Sequence, residues 1–220
     1  MPHNIKTDEL LMRYLNKPRR MLFSLAQQKK LEKRFATDDQ GRIMVDYKGR
    51  KLVFDRTSFK YELFEQFIEE QYKKLDVKGK TVIDIGAGTG DTAIFFMLNG
   101  AKKVYAFEPS KGRYDAAMEN VSANKIEGIE LIQKAAASLD DIVSEREDLV
   151  LKVDCEGCEH GIFAGSKPES IKRFGQVMLE FHDGYLDVKK VLEQNGFAVE
   201  YEFSDYYTAD YNGMMYAKRK

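Results

Sequence analysis

The stretch that most constrains this chain is Val82-Ile83-Asp84-Ile85-Gly86-Ala87-Gly88-Thr89-Gly90-Asp91. A β-rich run, Thr81–Ile85, leads into three glycines, and Thr92–Asn99 beyond them has helical spacing. Glycine lets the backbone turn sharply and approach a ligand without a Cβ clash. In an open α/β sheet such a turn sits at the carboxyl end of a strand, where ligands bind. The spacing is G-x-G-x-G, and Asp91 stands where a dinucleotide loop would need its last glycine. The Lys-Ser/Thr pair of a phosphate-binding loop is also missing. Asp84, just before the glycines, disfavours a pyrophosphate and suits a ligand with an amino group or a positive charge.

The strand–helix alternation continues. Lys103–Phe107, Glu130–Gln133, Leu149–Val153 and Gln176–Phe181 read as strands. Lys111–Asn124, Leu139–Val143, Pro168–Phe174 and Leu186–Asn195 read as helices, the last ending at Gly196. Ala198–Phe203 and Met214–Ala217 close the chain with no helix between them, so they pair antiparallel. The expected fold is α/β: a Rossmann-like, seven-stranded, mostly parallel sheet with an antiparallel C-terminal hairpin. Ahead of it, residues 8–34 read as helix broken near Pro18. Ile43, Val45 and Tyr47, then Leu52 and Phe54, read as a hairpin around Lys48-Gly49-Arg50, and residues 59–74 as a helix. This predicts a helical and hairpin cap over 1–78 and a ligand-binding domain over 79–220.

Composition excludes several classes. Among 220 residues, 43% hydrophobic and 32% charged fit a soluble globular protein. No apolar run nears the roughly 18–20 residues of a membrane span, so no membrane partner is expected. The N-terminus lacks a signal-peptide apolar core. Net charge is −1, yet residues 1–35 hold nine Lys/Arg against three Asp/Glu. That basic arm is either a solvated helix face or a surface for RNA. The two cysteines, Cys155 and Cys158, are too few for a disulfide framework, so a reducing cytoplasm is the expected setting. Zinc needs four ligands, and no second Cys/His pair accompanies Cys155-x-x-Cys158-x-His160. No metal site is assigned, although Asp154, Glu156 and Asp183 leave an oxygen-ligated divalent ion open.

Glu108 ends the second strand, at a spacing where an acidic side chain takes the ribose hydroxyl pair of an adenosine ligand. At these residues the chain resembles the class I S-adenosylmethionine-dependent methyltransferases. The resemblance implies that S-adenosylmethionine is the cofactor. Asp84 and the loop Gly86, Ala87, Gly88, Gly90 and Asp91 would hold its methionine part. Glu108, with Pro109 beside it, would hold the ribose. Adenine recognition would fall to Gln133–Ala137, which has no acid here, so backbone and apolar packing by Ala135 would serve. Tyr61 and Glu65 are candidates for the cofactor mouth.

A second motif follows the fourth strand: Leu151-Lys152-Val153-Asp154-Cys155-Glu156-Gly157-Cys158-Glu159. It is similar to the signature of the FkbM-type methyltransferases, as are Ser138-Leu139-Asp140-Asp141 and Glu180-Phe181-His182. That resemblance implies O-methylation of hydroxyls on sugar-like or other small molecules. Adjacent strand ends meet at one rim, so Asp154, Glu156, Glu180, His182 and Asp183 are expected together. A hydroxyl nucleophile must lose its proton, and imidazole titrates near neutrality, so His182 is the candidate base. Asp154, also at the cofactor, would orient the base or the acceptor, and Glu156 would accept an acceptor hydroxyl. The structural alternative is that His182 is a satisfied framework residue and that Asp154 and Glu156 cap a turn. A small-molecule acceptor, an RNA acceptor using the basic arm, and a non-catalytic cofactor-binding protein are the functional alternatives.

Overall fold

The computed structural model describes residues 35–142, 149–203 and 212–220. The helices expected within 8–34, with the basic arm, lie outside the described residues.

Two sheets form. The small one has order β1-β2-β3: β1 (Ala36–Thr37), β2 (Ile43–Tyr47) and β3 (Arg50–Phe54). β2 and β3 make the expected hairpin, with Tyr47 opposite Arg50. Its two turn residues, Lys48 and Gly49, both have positive φ, the geometry that matches strand twist in two-residue hairpins. β1, too short to show a period, was not visible in the sequence.

The large sheet is built from β4 (Thr81–Ile85), β5 (Lys103–Phe107), β6 (Ile129–Ile132), β7 (Leu149–Val153), β8 (Phe174–Phe181), β9 (Phe197–Phe203) and β10 (Gly213–Arg219). Its order is β6-β5-β4-β7-β8-β10-β9, seven strands. β4 through β8 pair in parallel, and β10 runs antiparallel between β8 and β9. The order reverses at β4, so the glycine loop stands at the switch point, where crevices form.

Six helices complete the described part: α1 (Lys60–Phe67), α2 (Asp91–Leu98), α3 (Lys111–Ala123), α4 (Glu159–Gly165), α5 (Pro168–Ile171) and α6 (Leu186–Gln194). Strand residues alternate between two cores. Val82, Val104 and Val150 pack with α1, α2 and the small sheet. Ile83, Leu151 and Val177 pack with α4, α5 and α6 on the other face. The small sheet thus shares one core with the large one. No helix among the described residues is long and apolar enough to cross a membrane.

Two expectations change. Leu139–Ile142 forms a bend and turn, not the start of a helix. Leu139 N donates to Ser166 Oγ (2.8 Å) and Lys167 N to Asp140 Oδ1 (2.9 Å), so the α4–α5 connection fixes this segment. α4 carries no helical signal of its own, because its residues read as part of a motif.

α3 is stitched to the small sheet by two amides. Asn124 Oδ1 accepts from Val53 N (2.9 Å) while its Nδ2 donates to Val53 O (2.6 Å). Asn120 Oδ1 accepts from Asp55 N (2.5 Å), and its Nδ2 donates to Thr89 O in the glycine loop (2.8 Å).

Candidate active site

One cleft runs over the carboxyl ends of β4, β5 and β7, roofed by α1 and the turns after it. Gly86, Ala87, Gly88 and Asp91 line it, as do Glu108, Pro109 and Ala135. Gly86 has φ +77°, and a Cβ there would lie 1.7 Å from the carbonyl oxygen of Asp154. Only glycine lets the loop pass so close to the end of β7. Gly90 caps α2 in the left-handed region and does not itself line the cleft. Gly88 N donates to Glu108 Oε2 (3.0 Å) and Ser110 N to Glu108 Oε1 (2.8 Å). Each carboxylate oxygen keeps a lone pair for a further donor, as a ribose hydroxyl pair requires. Phe107, Ala135 and Ala136 form an apolar wall beyond it.

Asp84 lies elsewhere than expected. It is fully buried beneath the cleft floor. Thr92 Oγ1 donates to its Oδ2 (2.5 Å), and Lys152 Nζ lies 3.1 Å from its Oδ1. Lys152 also donates to Gly86 O (2.7 Å) and stands 3.9 Å from Asp154 Oδ2. Burial pulls the Lys152 pKa down, but Asp84 and Asp154 outweigh it and raise the pKa. The Asp84 carboxylate is therefore spent on holding Lys152, which in turn holds the glycine loop. It reaches a ligand only through them. The signal for Lys152 in the sequence is an isolated cation within the apolar run Leu149–Val153, and the structure sets it in register with Asp84.

The far end of the cleft is acidic. Asp154 accepts from Tyr72 Oη (3.1 Å). Burial pushes Glu65 up to about 8, with Glu180 and Asp154 adding to it and a Tyr61 hydrogen bond opposing. Burial and Asp154 push Glu180 up to about 7. His182 joins the cluster, but as a cation. A hydrogen bond to Glu159 Oε1 (3.3 Å from Nδ1) pushes the imidazole up to about 9. The same oxygen accepts from His182 N (2.7 Å), and Nε2 is 3.4 Å from Glu156 Oε2. With both ring nitrogens facing carboxylates, the imidazole is held toward its charged form, which counts against the expectation of His182 as base. Glu159, buried on α4, was missed as a side chain with a role of its own.

Asp154, Glu180 and His182 bring one donor atom each within 4.8 Å of one another. His182 in that trio is also paired with Glu159 and Glu156. Asp183 is not part of it; its backbone has φ +57°, and its N donates to Asn212 Oδ1 (3.2 Å). Cys155 and Cys158 both line the cleft and are joined as a disulfide, with Cα atoms 5.5 Å apart. The expectation of two reduced thiols is corrected: the turn at Glu156 and Gly157, both with positive φ, brings the sulfurs together.

Residues 65–152 match the family model for ribosomal protein L11 methyltransferase (PrmA). The M. jannaschii TYW2 structure, in complex with AdoMet, superimposes with TM-score 0.56 over 84% of this chain and 90% of that one, at 18% identity. The chain has the class I fold and is an S-adenosylmethionine-dependent methyltransferase. The methyltransferase is 31% identical over 116 residues to uncharacterized protein 158B of Sulfolobus islandicus rod-shaped virus 1, covering 52% of this chain and 68% of that protein. It belongs to one family with that viral protein. It is also 42% identical over 82 residues to the ribosomal protein L11 methyltransferase of Alkaliphilus oremlandii. That match covers 37% of the methyltransferase and only 26% of the Alkaliphilus protein.

Proposed function

We propose that this methyltransferase transfers the methyl group to a hydroxyl oxygen of a small, sugar-like acceptor, as the FkbM-type motifs imply. S-adenosylmethionine supplies an activated methyl on a sulfonium. The protein has two tasks: to hold the nucleophile in line, roughly 3 Å from that carbon, and to take up its proton. Glu108 and the glycine loop suit the ribose, and Phe107, Ala135 and Ala136 suit the adenine. Asp154 and Glu156 orient the acceptor. The observation that carries the reading is the pair Glu65 and Glu180 beside Asp154, with proton affinities raised to about 8 and about 7. Glu180, partly ionised at neutral pH, is suited to receive a hydroxyl proton, while Glu65 beside it holds its own. His182, charged and tied to Glu159, positions Glu156. In this reading the described part of the 1–78 cap, residues 35–78, covers the acceptor side of the 79–220 domain.

The test is transfer of a labelled methyl group to a panel of sugars and other polyols, run beside ribosomal protein and tRNA. Transfer to a polyol, with a Glu180→Gln rate lower by about 10²–10⁴ in the manner of a lost general base, supports the reading. Transfer confined to protein or RNA overturns it. That second reading, a macromolecular acceptor, is favoured by the match to the ribosomal protein L11 methyltransferase family and by the basic arm at residues 1–35.

A further inference from the structure

Among the described residues, four buried side-chain atoms have no hydrogen-bond partner: Glu62 Oε2, Gln66 Nε2, Asp84 Oδ1 and Arg113 Nε. Asp84 Oδ1 faces the Lys152 ammonium at 3.1 Å, which accounts for it. The other three belong to residues that all line the cofactor cleft. They are also neighbours. Glu62 and Gln66 are one turn apart on α1, so they share a face. Glu62 Oε1 accepts from Arg113 Nη2 (2.6 Å). Gln66 is only 1% exposed, so bulk solvent does not meet its needs. Leaving such a group unmet costs on the order of 1–3 kcal/mol.

The three atoms are two donors and one acceptor. We propose that Gln66, Arg113 and Glu62 receive the amino-acid end of the cofactor: Gln66 and Arg113 donate to its α-carboxylate, and Glu62 accepts from its α-ammonium. The rest of the cleft leaves that carboxylate no better place. Asp91, Glu108, Asp154 and Glu156 line it and repel an anion. Of the other cations along it, Lys152 is committed to Asp84 and Gly86 O, and Lys134 stands at the apolar wall beyond β6. Direction agrees as well. Glu108 fixes the ribose and the apolar wall takes the base on one side, so the amino-acid end runs back along the glycine loop. Arg113 lies over that loop, since a Cβ on Gly88 would be 2.9 Å from its Nη2. Asp84, the residue expected to meet this end, is sealed beneath. α1 supplies the recognition instead.

The inference rests on the cofactor and not on the acceptor, so binding alone tests it. Calorimetry compares S-adenosylhomocysteine with 5′-methylthioadenosine, which keeps the adenosine and thioether but lacks the amino-acid end. In Gln66→Leu the affinity for S-adenosylhomocysteine should fall about ten-fold or more, the worth of a hydrogen bond to a charged group. The affinity of the same variant for 5′-methylthioadenosine should stay within about two-fold, inside the usual scatter of such differences. Gln66→Glu should weaken S-adenosylhomocysteine further, by repelling the carboxylate. Because the second ligand reports on folding of the same protein, a general loss of structure cannot imitate this pattern. Equal losses for both ligands, or no loss for either, would overturn the assignment.

Discussion

The ammonium of Lys152 lies 3.1 Å from the carboxylate of Asp84, and both side chains are almost wholly buried. Two parallel strands, β4 and β7, bring them side by side in register. Removing one partner strands the other in low dielectric. Lys152→Met should therefore destabilise the fold by about 3–5 kcal/mol. Lys152→Met with Asp84→Asn should recover part of that loss. Urea denaturation of both variants gives the comparison, and a double variant no better than the single one would refute the pairing.

Glycine at position 86 answers to a backbone atom, not to a ligand. Gly86→Ala should lower the melting temperature and abolish S-adenosylhomocysteine binding, because its Cβ meets the Asp154 carbonyl. Gly157 offers a control. Its φ is +104°, yet nothing lies within 4 Å of a Cβ there. Gly157→Ala should cost only backbone strain, on the order of 1–3 kcal/mol. Similar binding losses in the two variants would contradict the distinction.

Stability should fall as pH rises. Glu65 goes from an ordinary 4.5 to about 8 in the fold, and His182 from 6.5 to about 9. In both cases the native state holds its proton more tightly than the open chain. The Glu65 contribution is complete below pH 4.5 and gone above about 8; that of His182 is complete below 6.5 and gone above about 9. Melting temperatures of the unliganded protein from pH 5 to 9 should decline, and Glu65→Gln should flatten the lower part of the curve. A rising profile would refute the assignment of these shifts.

Reduction of Cys155–Cys158 should loosen the turn that carries Asp154 and Glu156. A loop this short contributes about 2 kcal/mol by chain entropy. A reducing agent should lower the melting temperature modestly, and Cys155→Ser should lose that response. If reduction changes nothing, the pair does not brace the turn, and a cytoplasmic setting would carry no structural cost.

The sheet was readable in the sequence because buried parallel strands announce themselves as short apolar runs. The side-chain assignments at the site were less readable, for reasons of distance. The charge on His182 depends on Glu159, 23 residues away on a helix the sequence did not suggest. The place of Asp84 depends on Lys152, which arrives from the neighbouring strand. Gln66 looked like any polar residue of an amphipathic helix until α1 was seen to roof the cleft. Leu139 was read as helical because its burial comes from a turn pinned by Ser166 and Lys167.

The amide of Asn124 has a consequence of another kind. β3 is an outer strand of the small sheet, and outer strands are templates on which other chains assemble. Here both backbone groups of Val53 are taken by Asn124, and Asp55 N by Asn120. α3 thus acts as a false strand that closes the row. The residues that tie the hairpin to the cofactor domain also guard the molecule against self-association along that edge.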